Sequence, residues 1–367
     1  MDGDVNMDNY SMFMPNYSIG NNVYDNITEI CGLYGKTAVV IGGRKAMAAA
    51  KHALESALSN STISICDFVW YGGECSYNNA ENTSQLDSVK NSDMIFAVGG
   101  GKATDTAKVV ANILDKPVFS FPTIASNCSC CTSVSIMYSD DGVFIKPHFF
   151  LKPPVHTFIN TEIIAKSPAK YLWAGMGDTY AKYYEAAVSA RDEVCEHFTA
   201  FGVAASSMCV APILQYGESA MDAISHSIET YEFSQVVLAI CVTTGIVSIM
   251  LTRDHTPDYN SGLAHAVFYA LTSIDEVEKN HLHGEVVAFG ILLLLLVDKN
   301  YSEFEKIYRF NKSVKLPTKI SDIGITRKQF EDIADNIPDM SDIRHWPYRV
   351  TKDMILDAVN YLENYTL

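Results

Sequence analysis

Basic side chains are scarce in this chain, because 27 Lys and Arg stand against 43 Asp and Glu, a formal net charge of −16 at pH 7. An acidic surface repels phosphate backbones, so we expect no nucleic-acid partner. Residues 1–10 contain neither the basic segment nor the apolar segment of a secretory leader. The nine cysteines show no regular spacing. Together these absences predict free thiols and a cytoplasmic location.

Long apolar runs are also missing. The two longest, residues 236–251 and 286–297, fall short of the roughly 18 to 20 residues that span a bilayer. We interpret both as helices buried on all sides in an α-rich domain, and we expect no membrane partner.

Strand patterns alternate with helical patterns in the first half of the chain. Apolar or β-branched runs predict strands at residues 37–41, 63–70, 94–98, 118–121 and 156–159, and helical patterns cover 45–58 and 104–114. Such alternation is typical of a parallel sheet built from βαβ units. Residues 135–144, which flank an Asp-Asp-Gly turn, predict an antiparallel hairpin.

Helical spacing dominates after about residue 161. The apolar periodicity predicts helices at 171–190, 193–217, 221–230, 236–251, 263–272, 284–300, 302–311, 327–336 and 351–365. We therefore predict an α/β dinucleotide-binding domain over residues 1–162 and an all-helical domain over residues 163–367. A cleft between two such domains is the expected place for a small-molecule ligand.

Two loops at predicted strand ends have the residues of a nucleotide site. Gly99-Gly100-Gly101-Lys102 separates a strand from a helix, where the backbone can approach a pyrophosphate and the helix dipole favours negative charge. It is neither a Walker loop nor a Gly-x-Gly-x-x-Gly motif, and a plain tight turn is the alternative. The segment 122–126 adds small hydroxylated residues at the same sheet edge, although Ser and Thr also serve ordinary turns.

Two histidines and an aspartate form a candidate metal site. His265 lies in a helical stretch, His283 follows it eighteen residues later, and Asp178 lies at a predicted helix start or cap. Two imidazoles and one carboxylate leave a coordination position open, as catalytic divalent metal sites do. In a chain with ten histidines, the alternative is that these residues are unrelated.

Five ordered sequence blocks resemble the glycerol dehydrogenase branch of the iron-containing alcohol dehydrogenases. The blocks cover residues 99–108, 122–126, 174–178, 262–266 and 283–290, and the segment 344–351 resembles the family tail as well. The resemblance implies a dehydroquinate synthase-like fold, in which a Rossmann-like parallel-sheet domain precedes an all-helical metal-binding domain. It also implies hydride transfer between NAD or NADP and a small alcohol, diol, aldehyde or ketone, and a homo-oligomer.

The family pattern also assigns roles to individual residues. It implies that Asp178, His265 and His283 bind the metal and act in catalysis through it. The cofactor-binding residues it implies are Gly101, Lys102, Ala103, Thr104, Asp105, Thr123, Ile124, Ala125, Ser126, Thr132, Val134 and Tyr138. The glycine turn adds Gly99 and Gly100 to the predicted cofactor site, and a departure from the family pattern adds Gly43 and Arg44. Zinc is favoured, and iron is possible. Family members that use iron have a further histidine where this chain has Lys182.

Three departures from the family pattern bear on specificity. Asn127-Cys128 replaces a Thr-Asp pair whose carboxylate helps to hold a polyol, so we expect Cys128 to contact the substrate and glycerol to be a poor substrate. Phe268 replaces a second histidine. Gly43-Arg44 stands where an acid often selects NAD, which adds a cation near a possible 2′-phosphate; the alternative for Arg44 is a solvated residue at a helix start.

Other roles for the chain were weighed. Cyclases that resemble dehydroquinate synthase share this fold, but their phosphorylated substrates require several basic residues in the cleft, and this chain has few. A non-catalytic, degenerate family member is the remaining alternative. Cys128, Cys130 and Cys131 lack a second cysteine pair at zinc-finger distance, so we interpret them chiefly as buried apolar residues.

Overall fold

The computed structural model describes residues 10–252, 255–256 and 258–366. Most of the segment in which a leader was sought lies outside them. A six-stranded parallel sheet forms the N-terminal part, with strand order β1-β8-β5-β4-β2-β3. Its strands are β1 (Tyr17–Ile19), β2 (Thr37–Gly42), β3 (Ser64–Trp70), β4 (Met94–Gly99), β5 (Val118–Pro122) and β8 (His156–Ile159). Five of the six were predicted. Strand β1 was not, because three residues give no readable period and its partner β8 lies far along the chain.

Helices cover both faces of this sheet. They are α1 (Ile27–Cys31), α2 (Arg44–Leu58), α3 (Tyr77–Ser84), α4 (Asp87–Lys90), α5 (Gly101–Leu114) and α6 (Thr161–Ala165). One apolar core contains Leu54, Phe96 and Phe121 on one side of the sheet, and a second contains Ile41, Ile95 and Val110 on the other. The central strands are therefore buried on both faces, as parallel strands usually are.

The predicted hairpin is present as two antiparallel strands. These are β6 (Val134–Tyr138) and β7 (Phe144–Phe149), and they form a small sheet of their own. Gly142, at a φ of +89°, lies in the turn between them, where a side chain would be strained.

The C-terminal part is helical. Its helices are α7 (Lys170–Ser189), α8 (His197–Ser225), α9 (Tyr231–Leu238), α10 (Thr244–Leu251), α11 (Leu263–Leu271), α12 (Asp275–Asn280), α13 (His283–Val297), α14 (Tyr301–Val314), α15 (Arg327–Ile333) and α16 (Lys352–Asn364). Helix α13 is buried along nearly its whole length, as its continuous apolar run predicts. The order of an α/β part followed by a helical part confirms the predicted fold class; the domain boundary after residue 162 stays a prediction.

Helix α8 corrects the prediction of two separate helices at 193–217 and 221–230. The predicted first helix ends at Gly217, a residue type that often terminates helices. Gly217 instead lies inside α8, where an added Cβ would come within 2.7 Å of the Phe310 ring. Its small size allows close packing between α8 and α14.

The helices that contain the apolar runs are longer than the runs themselves. A single π-helical turn, Ala239–Thr243, joins α9 to α10, so the helix Tyr231–Leu251 has 21 residues, and α8 has 29. Both are long and apolar enough to cross a membrane by length and composition alone. This corrects the expectation for residues 236–251, while α8 contains neither of the two runs and residues 286–297 lie in a shorter helix, His283–Val297. In the most apolar windows, 72% and 44% of the residues respectively are buried inside the fold. The value of 72%, for the helix Tyr231–Leu251, is typical of a helix in a protein core.

Candidate functional site

The glycine turn after β4 lies against the loop that follows β5. Gly99 has a φ of +150°, and the Thr123 amide donates a hydrogen bond to its carbonyl at 3.3 Å. A Cβ on Gly100 would come within 2.6 Å of the Ile124 side chain. Helix α5 already begins at Gly101, so the prediction of a helix start near residue 104 is wrong by one turn. Gly101, Lys102 and Ala103 therefore form the first turn of α5, whose amide groups lack partners within the helix.

Arg44 stacks on an exposed tryptophan at the same edge of the sheet. Its guanidinium carbon lies 4.5 Å from the centre of the Trp70 ring, and Trp70 is the last residue of β3. Gly43 caps α2, and an added Cβ there would meet only ordinary contacts at 3.8 Å. Arg44 has no carboxylate partner within the described part of the chain. Its fork of N–H donors is thus held in place without a counter-ion.

Lys102 and Tyr138 lie side by side, next to the glycine turn. The Lys102 ammonium forms an ion pair of 2.6 Å with Glu74 and lies 5.1 Å from the centre of the Tyr138 ring. Burial raises the pKa of Tyr138 to about 12, so its phenol stays protonated near neutral pH. Both residues were predicted to bind the cofactor, and the structure places them together.

Asp105 is buried and joins α5 to the β6–β7 hairpin. Its carboxylate lies 2.8 Å from the Lys108 ammonium and accepts the Ile136 amide at 3.1 Å. Lys108 in turn donates to the carbonyls of Ser129 and Val134. Burial raises the pKa of Asp105, and Lys108 opposes that rise. Since its carboxylate is used within the protein, we assign Asp105 a positioning role.

Asp178, His265 and His283 converge, although they come from three different helices. One carboxylate oxygen of Asp178 lies 3.2 Å from Nε2 of His283 and 3.5 Å from Nε2 of His265. The three potential ligand atoms lie within 4.8 Å of one another, close enough that one metal ion could be held by all three. Burial alone would raise the pKa of Asp178, but the two imidazoles outweigh burial and hold it well below its usual range.

Glu185 orients the first of these histidines, and the sequence analysis did not select it. One carboxylate oxygen accepts the Nδ1–H of His265 at 2.7 Å, and the other accepts the His265 amide at 3.0 Å. A carboxylate can only accept, so Nδ1 carries a proton, and Nε2 faces Asp178. Burial alone would lower the pKa of His265, but the carboxylates of Glu185 and Asp178 raise it to about 10. The missed signal is spacing, since Glu185 follows Asp178 by two helical turns.

Two glycines bring the ligand helices into contact. An added Cβ on Gly284 of α13 would come within 1.9 Å of the Ala174 carbonyl oxygen of α7, and one on Gly177 would come within 2.2 Å of the Gly284 carbonyl oxygen. Both obstacles are backbone atoms, which cannot rotate away. This close approach places Asp178 beside His283.

Aromatic rings line the outer side of the histidines. Phe268 lies edge-on to His283, with ring centres 4.3 Å apart, and Tyr269 lies 6.5 Å from His265. Phe144 of the hairpin contacts Tyr269 at 6.3 Å, so it bridges the α/β part and the helical part. Phe268 thus supplies an apolar edge where the family pattern has a second histidine.

Cys128 and Lys182 complete the inner wall. Lys182 is only 6% exposed and donates to the backbone and side-chain oxygens of Asn260. Burial raises the pKa of Cys128 to about 12; the nearby Asp178 carboxylate adds to this rise and the Lys182 ammonium opposes it. The thiol therefore stays protonated and neutral near neutral pH.

Comparison with known proteins identifies this arrangement. The family described as iron-containing alcohol dehydrogenase matches residues 15–154. A glycerol dehydrogenase of Thermotoga maritima is 33% identical over 308 residues, which cover 80% of this chain and 81% of the relative. The chain belongs to the iron-containing alcohol dehydrogenase family. The resemblance inferred from the five blocks is confirmed, and the chain is an oxidoreductase of the branch that resembles glycerol dehydrogenase.

Two further relatives show how widely this family extends. Hydroxycarboxylate dehydrogenase A of Escherichia coli (strain K12) is 30% identical and covers 89% of this chain and 90% of the relative. The solved structure of a probable glycerol dehydrogenase from Sinorhizobium meliloti superposes with a TM-score of 0.81 at 25% identity, covering 97% of this chain and 98% of that one. The α/β part and the helical part therefore have the fold of this alcohol dehydrogenase family.

Proposed function

We propose that this protein transfers hydride between a nicotinamide dinucleotide and a small alcohol or carbonyl compound, with one divalent metal bound by Asp178, His265 and His283. The observation that carries the proposal is their convergence on one point, with the Nδ1–H of His265 fixed by Glu185. When bound, the metal would acidify the substrate hydroxyl, and the oxidised nicotinamide would take up a hydride from the carbon that carries this hydroxyl, while the hydroxyl proton leaves to solvent.

The residues of the candidate metal site fit a divalent ion. Two imidazoles and one carboxylate are the donor set of catalytic zinc sites, and Nε2 of His265 would become a ligand by giving up its proton, while Nδ1–H stays bound to Glu185. We favour zinc over iron, because Lys182, whose ammonium cannot act as a ligand, stands where iron-using members have a further histidine. Binding would release protons from His265, whose pKa the two carboxylates raise.

The dinucleotide would lie along the carboxyl edge of the sheet. The first turn of α5 would bind its pyrophosphate, and the stacked guanidinium of Arg44 would accept either NAD or NADP, with the 2′-phosphate as its missing counter-ion. Residues 123–126, Thr132, Val134 and Tyr138 would border the cofactor. Thr132 and Val134 belong to the segment that Lys108 holds, so this side of the pocket is pre-organised.

The substrate would lie between the metal ligands and Cys128. In this family the substrates named for relatives include both polyols and hydroxycarboxylates, so the family alone leaves the substrate of this chain open. The proposal also includes a cytoplasmic homo-oligomer with neither a membrane nor a nucleic-acid partner, which follows from the acidic composition and the family resemblance.

Metal content and turnover test the proposal. Purified protein is analysed for bound metal and assayed with NAD and NADP against diols, aldehydes and ketones. His265→Ala and His283→Ala should each lose the metal and nearly all turnover, because two ligands hold a divalent ion poorly. His52→Ala, on the exposed side of α2, is the matched control and should retain both. Full metal occupancy in both site variants would overturn the assignment.

A further inference from the structure

We propose that Lys182 binds a negatively charged group of the substrate, so that this enzyme acts on hydroxy acids or oxo acids in preference to neutral polyols. The inference deepens the proposed function and rests on it for the place where the substrate lies. It begins with three side chains of one helix. Asp178, Lys182 and Glu185 follow each other at intervals of four and three residues, so they share one face of α7.

Lys182 is the one of these three whose charge has no ionic partner. Both oxygens of Glu185 are used by His265, and the oxygen of Asp178 nearest the histidines faces both imidazoles. Among the residues that the structure describes, Lys182 donates only to the two oxygens of Asn260, which are neutral. An ammonium group has three donors, so one N–H is left for another acceptor.

Burial makes the Lys182 ammonium group unfavourable unless a group of opposite charge binds it. Lys182 is 6% exposed, and moving an ammonium group out of water is costly unless an opposite charge compensates. Other lysines of this chain with low exposure have that compensation or a fuller set of acceptors. Lys108 pairs with Asp105, and Lys116 donates to three carbonyls, those of Val89, Lys90 and Ser92.

The neighbour of Lys182 in the cleft supplies no negative charge either. Cys128 is close enough to respond to the charges of both Lys182 and Asp178, and its thiol is neutral. Next to Asp178 on this face of α7 there is therefore a buried cation without an ionic partner, and the nearby Cys128 thiol does not balance its charge. A carboxylate on the substrate supplies the missing charge, whereas a further hydroxyl of a polyol does not.

Binding measurements separate this role from a merely structural one. The zinc-loaded enzyme is first saturated with reduced cofactor, so that the added alcohols cannot be oxidised. Two pairs of ligands are then titrated calorimetrically: 2-hydroxypropanoate is compared with 1,2-propanediol, and 3-hydroxybutanoate with 1,3-butanediol. Each pair shares a carbon skeleton and differs in the carboxylate. The unaltered enzyme should bind at least one acid about tenfold more tightly than its diol. Similar or weaker binding of both acids would overturn the inference.

Substitutions then assign the preference to Lys182. Lys182→Met, which keeps length and removes charge, should weaken binding of the preferred acid about thirtyfold or more and leave binding of its diol within about threefold. Lys182→Arg should retain part of the preference. Lys116→Met removes a comparable lysine far from the cleft and should change neither affinity. Equal loss for acid and diol in Lys182→Met would show that the lysine only holds the Asn260 loop.

A second variant keeps the test decisive if Lys182→Met does not fold. Cys128→Asp places a carboxylate beside Lys182 and should abolish the preference for the acid while Lys182 remains. Unchanged preference in that variant would also overturn the inference. Turnover of the neutral diols tests the dehydrogenase activity separately. If acid binding depends on Lys182 but no diol is turned over, only the proposed function is contradicted. If diols are turned over but acid binding does not depend on Lys182, only this inference is contradicted.

Discussion

Glu185 accepts the Nδ1–H of His265 at 2.7 Å, although the two residues are 80 positions apart and belong to different helices. Glu185 is completely buried, and its second oxygen holds the backbone amide of the same histidine. The carboxylate therefore fixes the ring, its tautomer and the start of α11 together. Such a partner determines how well a histidine binds metal.

We predict that Glu185 controls metal affinity without touching the metal. Glu185→Gln keeps an acceptor oxygen but removes the charge, and Glu185→Ala leaves two donors of His265 unpaired. Zinc affinity, measured by competition with a chelator, should fall about tenfold in the first variant and about a hundredfold in the second. Glu303→Gln, which perturbs the hydrogen bond to Tyr184 outside the site, is the control. Unchanged zinc affinity in Glu185→Ala would contradict the assigned role.

The pair Arg44 and Trp70 should set cofactor preference. We expect kcat/KM with NADP to be at least comparable with that for NAD. Arg44→Ala should lower kcat/KM for NADP about tenfold or more and change the value for NAD little, because only NADP carries the 2′-phosphate. Trp70→Ala should also lower kcat/KM for NADP, by a smaller factor. Lys51→Ala is the matched control, because Lys51 is another cation of α2 that lies over an aromatic ring, that of Phe68.

A strong preference for NAD would contradict this role of Arg44. A preference of the unaltered enzyme for NAD of more than about a hundredfold, roughly 2.7 kcal/mol on the transition-state scale, would show that Arg44 does not reach the 2′-position. Arg44 would then be the solvated helix-start residue that the sequence left as the alternative.

Cys128 should make glycerol a poor substrate. A thiol is a weak donor and a weaker acceptor, so it cannot replace a carboxylate that holds a polyol hydroxyl. We expect higher kcat/KM with less hydroxylated alcohols, or with their aldehydes and ketones, than with glycerol. Cys128→Asp should shift preference back towards glycerol, whereas Cys66→Asp, at an exposed cysteine, should not. More efficient oxidation of glycerol than of propanol by the unaltered enzyme would refute this interpretation.

The contact between α7 and α13 should tolerate no added carbon. Gly284→Ala places a Cβ within 1.9 Å of a carbonyl oxygen, so the helices must separate. The free energy of unfolding should fall by about 1 to 3 kcal/mol, and zinc affinity should fall with it as Asp178 moves away from His283. Gly43→Ala has only ordinary contacts at 3.8 Å and should leave stability almost unchanged when no cofactor is present. Equal stability of the two variants would contradict this account of the helix contact.

Local patterns in the sequence were sufficient for the architecture. Five parallel strands, the hairpin and most long helices follow from periods of two and 3.6 residues and from turn residues, since those signals depend on neighbours in the chain. The ligand trio could also be selected from its residue types and from the family blocks. The segment 122–126 and the glycine turn could be placed at one sheet edge, because the carboxyl ends of parallel strands share it.

Contacts between distant segments account for what the sequence analysis missed. Nothing near Glu185 in the chain shows that His265 is its partner, and nothing near Trp70 shows that Arg44 stacks on it. Asp105 has the residue type of a ligand contact, yet its carboxylate accepts the Ile136 amide of the hairpin, 31 positions away. Gly217 has the residue type of a helix end, yet the fold uses it for packing. A residue type limits the chemistry that is possible, and three-dimensional neighbours determine which part of that chemistry is used, because burial and charge act through space.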